Sequence, residues 1–465
     1  MAGRPYAQFI GPSEPVADRK ASAQRSINLY MAEVEGGGED KQFILESAPG
    51  LASALVTMPD VVRGMIIARG VWYVVAGNKF YSLTTAGVYT ELGTLASVSG
   101  YVSMKETQFQ VIIVDGPTGY VWNLDSSVFG VISDTDFSKS YWVEELDGYA
   151  IFSNPDTNQF FISEIDDAAA LDALDFSSAD SQPDSIVTHR VVRRELMIMG
   201  ERSIETWVNT SDADFPFTRY NSTPIDVGVV GNRAAVNAAD TLYFVGQTGR
   251  GAAYVYELQG HQPVRISTQA VEESLSSSTN LSDTWMWTYQ SEGAEFVAIS
   301  SPGMRTTWVF DASVRKWHER CELVDGEYEH LRVDQIVYVD GDHYVSAGTK
   351  IHKYSRSVYQ IAGDHLARER TWPHLVKPSF EPVAYRGVEL MCMTGHDGDE
   401  GKIVLEISND GGYMWGTGLI RSLGAIGRRM QRVRWLLLGA SRDRVFRVRV
   451  TDNVPLTLYG AVVDA

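Results

Sequence analysis

A short hairpin sequence recurs seven times along this chain. Its first copy, Gly70–Leu83, has two apolar segments joined by Gly77 and Asn78, residues typical of tight hairpin turns. An aromatic residue marks the second strand of every copy, at intervals of 41, 39, 46, 49, 54 and 44 residues. Because a propeller blade needs about 40–50 residues for four antiparallel strands, the repeat predicts a β-propeller of about seven blades over residues 61–360. The marking aromatics, which we expect to pack between blades, are Tyr81, Trp122, Phe161, Trp207, Tyr256, Phe310 and Tyr354.

The composition favours an all-β protein with more than one domain. A chain of 465 residues exceeds the size at which a single core keeps growing. Aromatic residues at 11% and 41 glycines suit strands joined by many turns, and no long segment has helical periodicity. One insert, Ile165–Leu174, predicts a short helix on a loop, the kind of element through which propellers contact partners.

The flanks of the propeller predict three further segments. Residues 1–60 form an N-terminal arm with two docking strands, Ser22–Tyr30 and Lys41–Glu46, and the second of these is an alternative closing strand for the propeller. Residues 361–380 resemble a linker, and residues 381–465 predict an antiparallel β platform or sandwich. Its predicted strands are Val388–Met393, Lys402–Ile407, Val433–Leu438 and Val445–Val450.

The net charge of −19, from 40 basic and 59 acidic side chains, argues against a stable nucleic-acid clamp. An acidic surface still allows DNA to slide past without sticking. The two cysteines, Cys321 and Cys392, do not define a disulfide framework and fit assembly in a reducing compartment. The sequence predicts neither a signal peptide nor a membrane span, so we expect a protein of cytoplasmic origin.

Positive charge is concentrated near the C-terminus. Between Arg421 and Arg449 there are nine arginines and one acid, Asp443. Arginine forms bidentate pairs with carboxylates and is enriched at interfaces, so this face is predicted to dock on an acidic neighbouring subunit, with DNA phosphate as the competing partner. Exchanging Arg447 and Arg449 for glutamate is expected to leave the monomer folded and to weaken assembly. The candidate interface residues here are Arg428, Arg429, Arg432, Arg434, Arg447 and Arg449.

One motif resembles the Asp-box of sialidases and other propeller hydrolases. It comprises Ser408, Asp410, Gly412 and Trp415, and it is interpreted as a structural turn because the single copy lies outside the repeats. Acidic residues are plentiful, but no pair is singled out as a glycosidase dyad. The nine histidines are scattered without metal-ligand spacing. The sequence therefore predicts no catalytic residue, no metal and no cofactor, and the protein is not expected to be an enzyme.

The arm carries a family resemblance. Gln24-Arg25, Asn28-Leu29-Tyr30, a polar glycine-rich gap and Ala48–Leu51 resemble the opening of the packaged DNA stabilisation proteins of short-tailed bacteriophages, the tail hub or nozzle proteins. The resemblance implies a structural protein of the virion tail that forms a hexameric ring below the portal and its head-to-tail adaptor. Such a ring retains packaged DNA, conducts it at ejection, and contacts tail spike or fibre and needle proteins. Arg25, Asn28 and Tyr30 are then candidate contacts with a neighbouring subunit or the adaptor.

Two other functions remain open on the sequence alone. A propeller with an Asp-box-like turn is also compatible with a sialidase-like glycosidase or a glycan-binding tail protein. An adhesion or scaffold propeller outside viruses is the second alternative, since propellers serve many functions.

Overall fold

The computed structural model describes residues 4–5, 8–34, 42–212, 214–220, 223–247, 251–377, 379–396 and 400–465. These residues form an all-β protein, as predicted, with a propeller followed by a sandwich. The helices of the described residues are short, an α-helix at Gln269–Ser276 and a 3₁₀ turn at Leu281–Asp283. No helix among them is long and apolar enough to span a membrane. The glycine-rich gap of the arm, residues 36–38, lies outside the described residues.

The hairpin repeat forms the second and third strands of each propeller blade. In blade 1 the turn is made by Gly77, whose φ of +53° is strained for any residue with a side chain. Here the Asp60 carboxylate also leaves no room, since a Cβ on Gly77 would lie 2.6 Å from its oxygen. Blades 1–4 comprise Val62–Ala68, Val71–Ala76, Lys79–Leu83, Tyr89–Thr94; Ser103–Glu106, Gln110–Asp115, Thr118–Asn123, Val128–Val131; Val143–Leu146, Tyr149–Ser153, Gln159–Glu164, Asp167–Ser178; and Ile186–Val192, Glu195–Gly200, Ile204–Asn209, Phe217–Arg219.

The ring closes with a strand from the arm. The outer strand of blade 7 is Gly50–Thr57, which pairs antiparallel with Lys350–Ser355, whereas the sequence placed residues 50–57 in the arm. Innermost strands of successive blades adjoin in a circuit, with the first strand of blade 7 against that of blade 1. Blades 5–7 comprise Gly228–Val229, Ala235–Ala238, Thr241–Gln247, Ala253–Gln259, Gln262–Arg265; Trp285–Ser291, Ala294–Ser300, Thr307–Asp311, Lys316–Val324, Glu327–His330; and Gln335–Val339, Asp342–Ala347, Lys350–Ser355, Gly50–Thr57, Gln360–Ile361, Asp364–His365.

All seven marking aromatics are buried on the third strands of their blades. Several contact the preceding blade, as predicted. The Trp122 indole donates to the Tyr73 hydroxyl of blade 1 at 3.3 Å, and the Trp207 ring lies 5.0 Å from that of Phe160 in blade 3. The aromatic residues that mark the repeat therefore include side chains that join one blade to the next.

The C-terminal sandwich includes strands from the arm. Its second sheet continues from blade 6, because Ile27 pairs in parallel with Glu319 of that blade. The predicted linker also contributes a central strand, Arg368–Thr371, which pairs on both sides. The first sheet is Leu29–Val34, Gln42–Ser47, Thr457–Asp464, Gly387–Cys392, Val433–Leu436, with Arg4–Pro5 on Thr457–Asp464; the second is Arg25–Ile27, Arg368–Thr371, Asp443–Val450, Lys402–Ser408, Leu419–Ser422, with Leu375–Val376 on Asp443–Val450, and Val383–Ala384 pairs separately with Ala440–Ser441.

The core of the sandwich is built from both ends of the chain. Phe9, Leu29 and Leu45 of the arm are fully buried among apolar side chains of residues 372–461. The Trp372 ring packs edge-on against Phe9 and Phe446, with centroids 5.0 Å apart in each pair. The arm is therefore an integral part of the sandwich and the propeller.

The insert in blade 3 forms a strand instead of the predicted helix. Asp167–Ser178 pairs with Gln159–Glu164 along the outer edge of the blade, and the register shifts between Leu171 and Phe176. The extra residues bulge out of the edge, so the Leu174 side chain is 77% exposed. Pairing with the rest of the blade overrides the local helical pattern.

Two fully buried histidines link stability to pH. The Nε2 atom of His189 lies 2.9 Å from the Ile151 carbonyl oxygen, and burial lowers the pKa of His189 to about 4. Burial, assisted by the charge of Arg320, lowers the pKa of His318 to about 3. Both values lie below about 6.5, the pKa of an unfolded histidine. The unfolded state then binds more protons below pH 6.5, so stability is lost as the pH falls toward the folded values.

His318→Gln is expected to reduce this pH dependence. Each buried histidine contributes up to about 1.4 kcal/mol per pH unit to the slope of unfolding free energy below pH 6.5. Urea unfolding at several values between pH 6.5 and 4.5 measures the slope. The exposed His365 provides the matched control, since His365→Gln should leave the slope unchanged. Parallel slopes for wild type and His318→Gln would contradict the assignment.

Candidate interaction surfaces

The joint between propeller and sandwich is held by buried charges. Arg25 donates from Nη2 to Glu319 Oε2 at 2.5 Å and from Nε to Oε1 at 3.0 Å. The Ser13 hydroxyl also donates to this carboxylate, which is 2% exposed against 29% for the Arg25 side chain. Arg25 was predicted to contact a neighbour, but the structure uses its guanidinium to hold the arm on blade 6.

Asn28 lies at the centre of the same joint and is fully buried, so it does not reach a neighbouring molecule. Its amide nitrogen donates to the carbonyl oxygens of Cys321 and Ala367 at 2.9 and 2.8 Å. Its amide oxygen accepts from Arg320 Nε and from the Cys321 backbone N–H, both at 3.1 Å. Within one copy, Asn28 therefore joins three segments of the chain.

Tyr30 is likewise an internal residue. Its hydroxyl donates to Glu46 Oε2 at 2.9 Å, and its ring packs edge-on against Phe296 of blade 6 at 5.4 Å. Burial raises the pKa of Tyr30, and the neighbouring Glu46 carboxylate adds to the effect. Within one copy, Tyr30 therefore packs between the arm and blade 6.

Arg447 and Arg449 also have partners within the chain. Arg447 Nε donates to Glu406 Oε2 at 2.8 Å, and Arg449 Nη2 donates to Glu406 Oε1 at 3.2 Å. The Arg447 guanidinium lies 4.0 Å from the centre of the Trp415 ring, and Glu369 is 3.9 Å away. Both arginines share one face of their strand as predicted, but on that face both side chains form ion pairs within the chain.

Arg447→Glu is expected to destabilise the monomer by about 2–3 kcal/mol, because it leaves a third carboxylate beside Glu406 and Glu369. This replaces the expectation that reversal at residues 447 and 449 leaves the monomer intact. Thermal unfolding measures the effect. The exposed Arg442 is the control, and Arg442→Glu should change stability by about 0.5 kcal/mol or less. Equal stabilities of the two variants would contradict the paired geometry.

The remaining candidate arginines lie along one edge of the sandwich, residues 419–437, here called the arginine edge. Arg432 pairs with Glu389, its Nε donating at 2.7 Å, and Arg434 lies 4.0 Å from the same carboxylate. Arg428 and Arg429 are exposed, and no acidic partner for either is found among the described residues. The edge thus presents two arginines available to another molecule.

The Asp-box-like motif is a turn at the end of strand Lys402–Ser408. Asp410 Oδ1 accepts from the Tyr413 and Met414 backbone N–H groups at 3.1 and 3.0 Å. Ser408 Oγ accepts from the Gly412 N–H at 2.8 Å. Hydrogen bonds, the Met414 N–H first among them, lower the pKa of Asp410. Trp415 then contacts Arg447, so this motif has a structural role in the sandwich.

Planar side chains stack on the inner face of the propeller. The Tyr101 and Trp142 rings stack 5.5 Å apart with an interplanar angle of 10°. Arg190 lies 3.7 Å from the Trp142 ring centre, and Arg233 lies 4.4 Å from that of Tyr101. A cavity of about 320 Å³ remains beside them. These four residues are separated along the chain by 41, 48 and 43 residues. The separations match the length of one propeller blade, so their spacing was a signal in the sequence that was not recognised there.

The Arg190 guanidinium is anchored by the propeller itself. Its Nε donates to the Ala235 carbonyl oxygen at 3.1 Å and its Nη2 to that of Asn232 at 2.8 Å. Burial lowers the pKa of Arg190 to about 10, opposed by the nearby Glu144 carboxylate. The side chain stays charged at neutral pH, and the stack is a fixed part of the inner face.

Among the described residues no group of three or more His, Cys, Asp or Glu side chains is arranged to hold a metal ion. Both cysteines are free thiols.

Comparison with known proteins identifies both domains. The family model described as "Bacteriophage P22 Gp10, beta-propeller" matches residues 23–350, and that described as "Bacteriophage P22 Gp10, beta-sandwich" matches residues 370–465. No curated protein matches the chain. Solved structures include the WD40 propeller of Doa1, with 11% identity over 66% of this chain and 97% of that one at a TM-score of 0.42. Another is the extracellular domain of BT4673 from B. thetaiotaomicron, with 6% identity over 79% and 47% at a TM-score of 0.45.

The family matches cover nearly the whole chain and confirm the resemblance seen in the arm. They extend it to the propeller and to the C-terminal sandwich. The chain belongs to the family of the bacteriophage P22 Gp10 stabilisation and tail hub protein, and it is a structural protein of a phage tail.

Proposed function

We propose that copies of this chain assemble into a hexameric ring that forms the hub or nozzle of a short phage tail. The ring binds the head-to-tail adaptor below the portal, closes the channel after packaging, and conducts DNA at ejection. Tail spike or fibre and needle proteins attach to it, and assembly takes place in the host cytoplasm. The chain acts mechanically and electrostatically, without a covalent step.

The observation that carries this proposal is the small size of the cavity inside the propeller. Tyr101, Trp142, Arg190 and Arg233 line this cavity, and its volume of about 320 Å³ is far too small for a duplex. DNA therefore has no path through a single subunit. A protein that closes and conducts a DNA channel must then do so by surrounding the channel with several copies.

The negative charge of the chain suits a channel through which DNA passes. With a net charge of −19, a ring that turns acidic surfaces toward the lumen repels phosphate and holds DNA at a distance from the walls. The arginine edge is the exception. Its positive charge fits a contact with an acidic neighbour, which keeps it out of the DNA path.

Phage particles assembled without this chain provide the test. They are expected to package DNA and then lose it, and addition of the purified chain before packaging is complete should restore retention. DNA content after nuclease treatment measures the effect. Particles that retain DNA without the chain would contradict the proposed function.

A further inference from the structure

The arginine edge is an open, partly apolar margin of the sandwich. Strands Leu419–Ser422 and Val433–Leu436 each end their sheet, and the Trp435 indole joins them by donating to the Leu419 carbonyl oxygen at 2.7 Å. Residues 419–437 contain five arginines and no acid. Exposed apolar residues accompany them, which marks this margin as a docking surface. They are Leu419, Ile420, Ile426, Met430, Leu436 and Leu437, with Met430 95% and Leu437 92% exposed.

The outer edge of blade 3 has the complementary character. Strand Asp167–Ser178 ends its sheet. Leu174 and Phe176 on this strand are exposed, as is Ile165 just before it. Residues 164–178, here called the blade 3 edge, contain five acids and no basic residue. None of these acids has an ion-pair partner in the described part of the chain. Two open sheet margins of opposite charge, each with protruding apolar side chains, are thus present on one subunit.

The two edges lie at opposite ends of the molecule. Leu419–Ser422 is the fifth strand beyond the blade 6 strand Lys316–Val324 in one continuous sheet, which places it about 24 Å outward at normal strand spacing. Blade 3 lies across the ring, with two blades between it and blade 6 on one side and three on the other. The edges therefore cannot meet within one chain. They can meet only between copies, as a heterologous contact that closes into a ring.

The partial burial of Asp175 supports the same pairing of the arginine edge with the blade 3 edge. Burial, with the neighbouring charges of Asp172 and Glu164, raises the pKa of Asp175. An arginine from another copy would relieve this repulsion, and charge complementarity of this kind selects partners as well as orientation.

We propose that the arginine edge of one copy docks on the blade 3 edge of the next copy. The inference rests on the proposed ring and names the two surfaces that close it. The occupant is a second copy of this chain, because its blade 3 edge supplies both the matching charge and the apolar side chains.

Charge reversal on each edge provides the test. The first variant carries Arg428→Glu with Arg429→Glu, and the second carries Asp172→Arg with Asp175→Arg. Each variant alone is expected to self-associate about 100-fold more weakly than wild type, because like charges then face each other. An equimolar mixture should assemble again, since one contact is then wild-type and the next is fully reversed. Sedimentation velocity and native mass spectrometry measure assembly, and circular dichroism verifies that each variant is folded.

Exposed charges elsewhere provide matched controls. Arg442→Glu and Asp364→Arg change exposed side chains outside both edges and should leave assembly unchanged. Restored assembly in the mixture supports the pairing. Wild-type assembly that neither double variant weakens overturns the inference and leaves the proposed ring standing. A wild-type chain that stays monomeric at its highest soluble concentration, or variants that lose only adaptor binding, also overturn it. The DNA-retention experiment tests the proposed function separately.

Discussion

Asn28→Ala is expected to lower the free energy of unfolding by about 4 kcal/mol, a large effect for the substitution of one polar side chain. The substitution leaves the Cys321 N–H, two carbonyl oxygens and the Arg320 Nε without their partner in a fully buried site. It also puts alanine at a φ of +53°, a region that asparagine tolerates better. Urea unfolding followed by tryptophan fluorescence measures the loss.

A surface amide provides the control for Asn28. Asn237 is exposed and donates one hydrogen bond, to the Val191 carbonyl oxygen at 2.7 Å. Asn237→Ala should cost about 1 kcal/mol or less. If both substitutions cost the same, the joint does not depend on the buried amide and our account of the arm is wrong.

A fragment of residues 61–465 is expected not to fold, although it starts at the boundary predicted between arm and propeller. It lacks the outer strand of blade 7 and four strands of the sandwich, Arg4–Pro5, Arg25–Ile27, Leu29–Val34 and Gln42–Ser47. The lost side chains Phe9, Leu29, Leu45 and Leu51 are all buried, and each contributes about 2 kcal/mol or more. Their sum approaches the whole stability of a typical domain.

Expression of that fragment beside residues 8–465 tests this prediction. The longer fragment keeps all of these strands except the two-residue Arg4–Pro5 and should unfold with a midpoint close to that of the full chain. Solubility, circular dichroism and thermal unfolding are the measurements. A soluble 61–465 fragment with a cooperative transition would show that the arm is dispensable for folding.

The repeat made the propeller predictable, because its signals are local. Hairpin turns, strand alternation and a spacing near the blade period all lie within windows of about 50 residues. The aromatic at each third strand, such as Trp122 or Trp207, reports contact with the neighbouring blade in sequence. That is why the number of blades and their packing residues followed from the chain alone.

The role of the arm was not predictable in the same way. Asn28 bonds to residues near 321 and 367, and nothing in the local pattern around Asn28 specifies those distant partners. The sequence correctly indicated a strand rich in polar residues that docks, but it assigned the acceptor to another molecule. Polar side chains on a docking strand look alike in sequence whether the acceptor is the same chain or a different one.

The arginines show the same limit. Alternation with Val and Phe placed Arg447 and Arg449 on one face, as the structure has them. Their ion pairs with Glu406 depend on the register between two strands, which the sequence does not specify. Arg428 and Arg429, in a turn where no strand faces them, are the ones that remain available.

In the proposed ring, the propeller and sandwich form a scaffold, and the arginine and blade 3 edges form the contact surfaces. The cavity inside the propeller is too small for a duplex, and the joint between propeller and sandwich is held by buried hydrogen bonds and an ion pair. Such a subunit is suited to build a ring whose central space belongs to no single copy. Under the proposed function, DNA retention is a property of the assembled ring and not of one copy.

Electron cryomicroscopy of the intact phage tail tests this central claim most directly. The account predicts a closed ring of copies around a shared lumen, with DNA density only in that lumen and each arginine edge against the blade 3 edge of the next copy. DNA density within a propeller, or copies attached to the tail without touching one another, would contradict it.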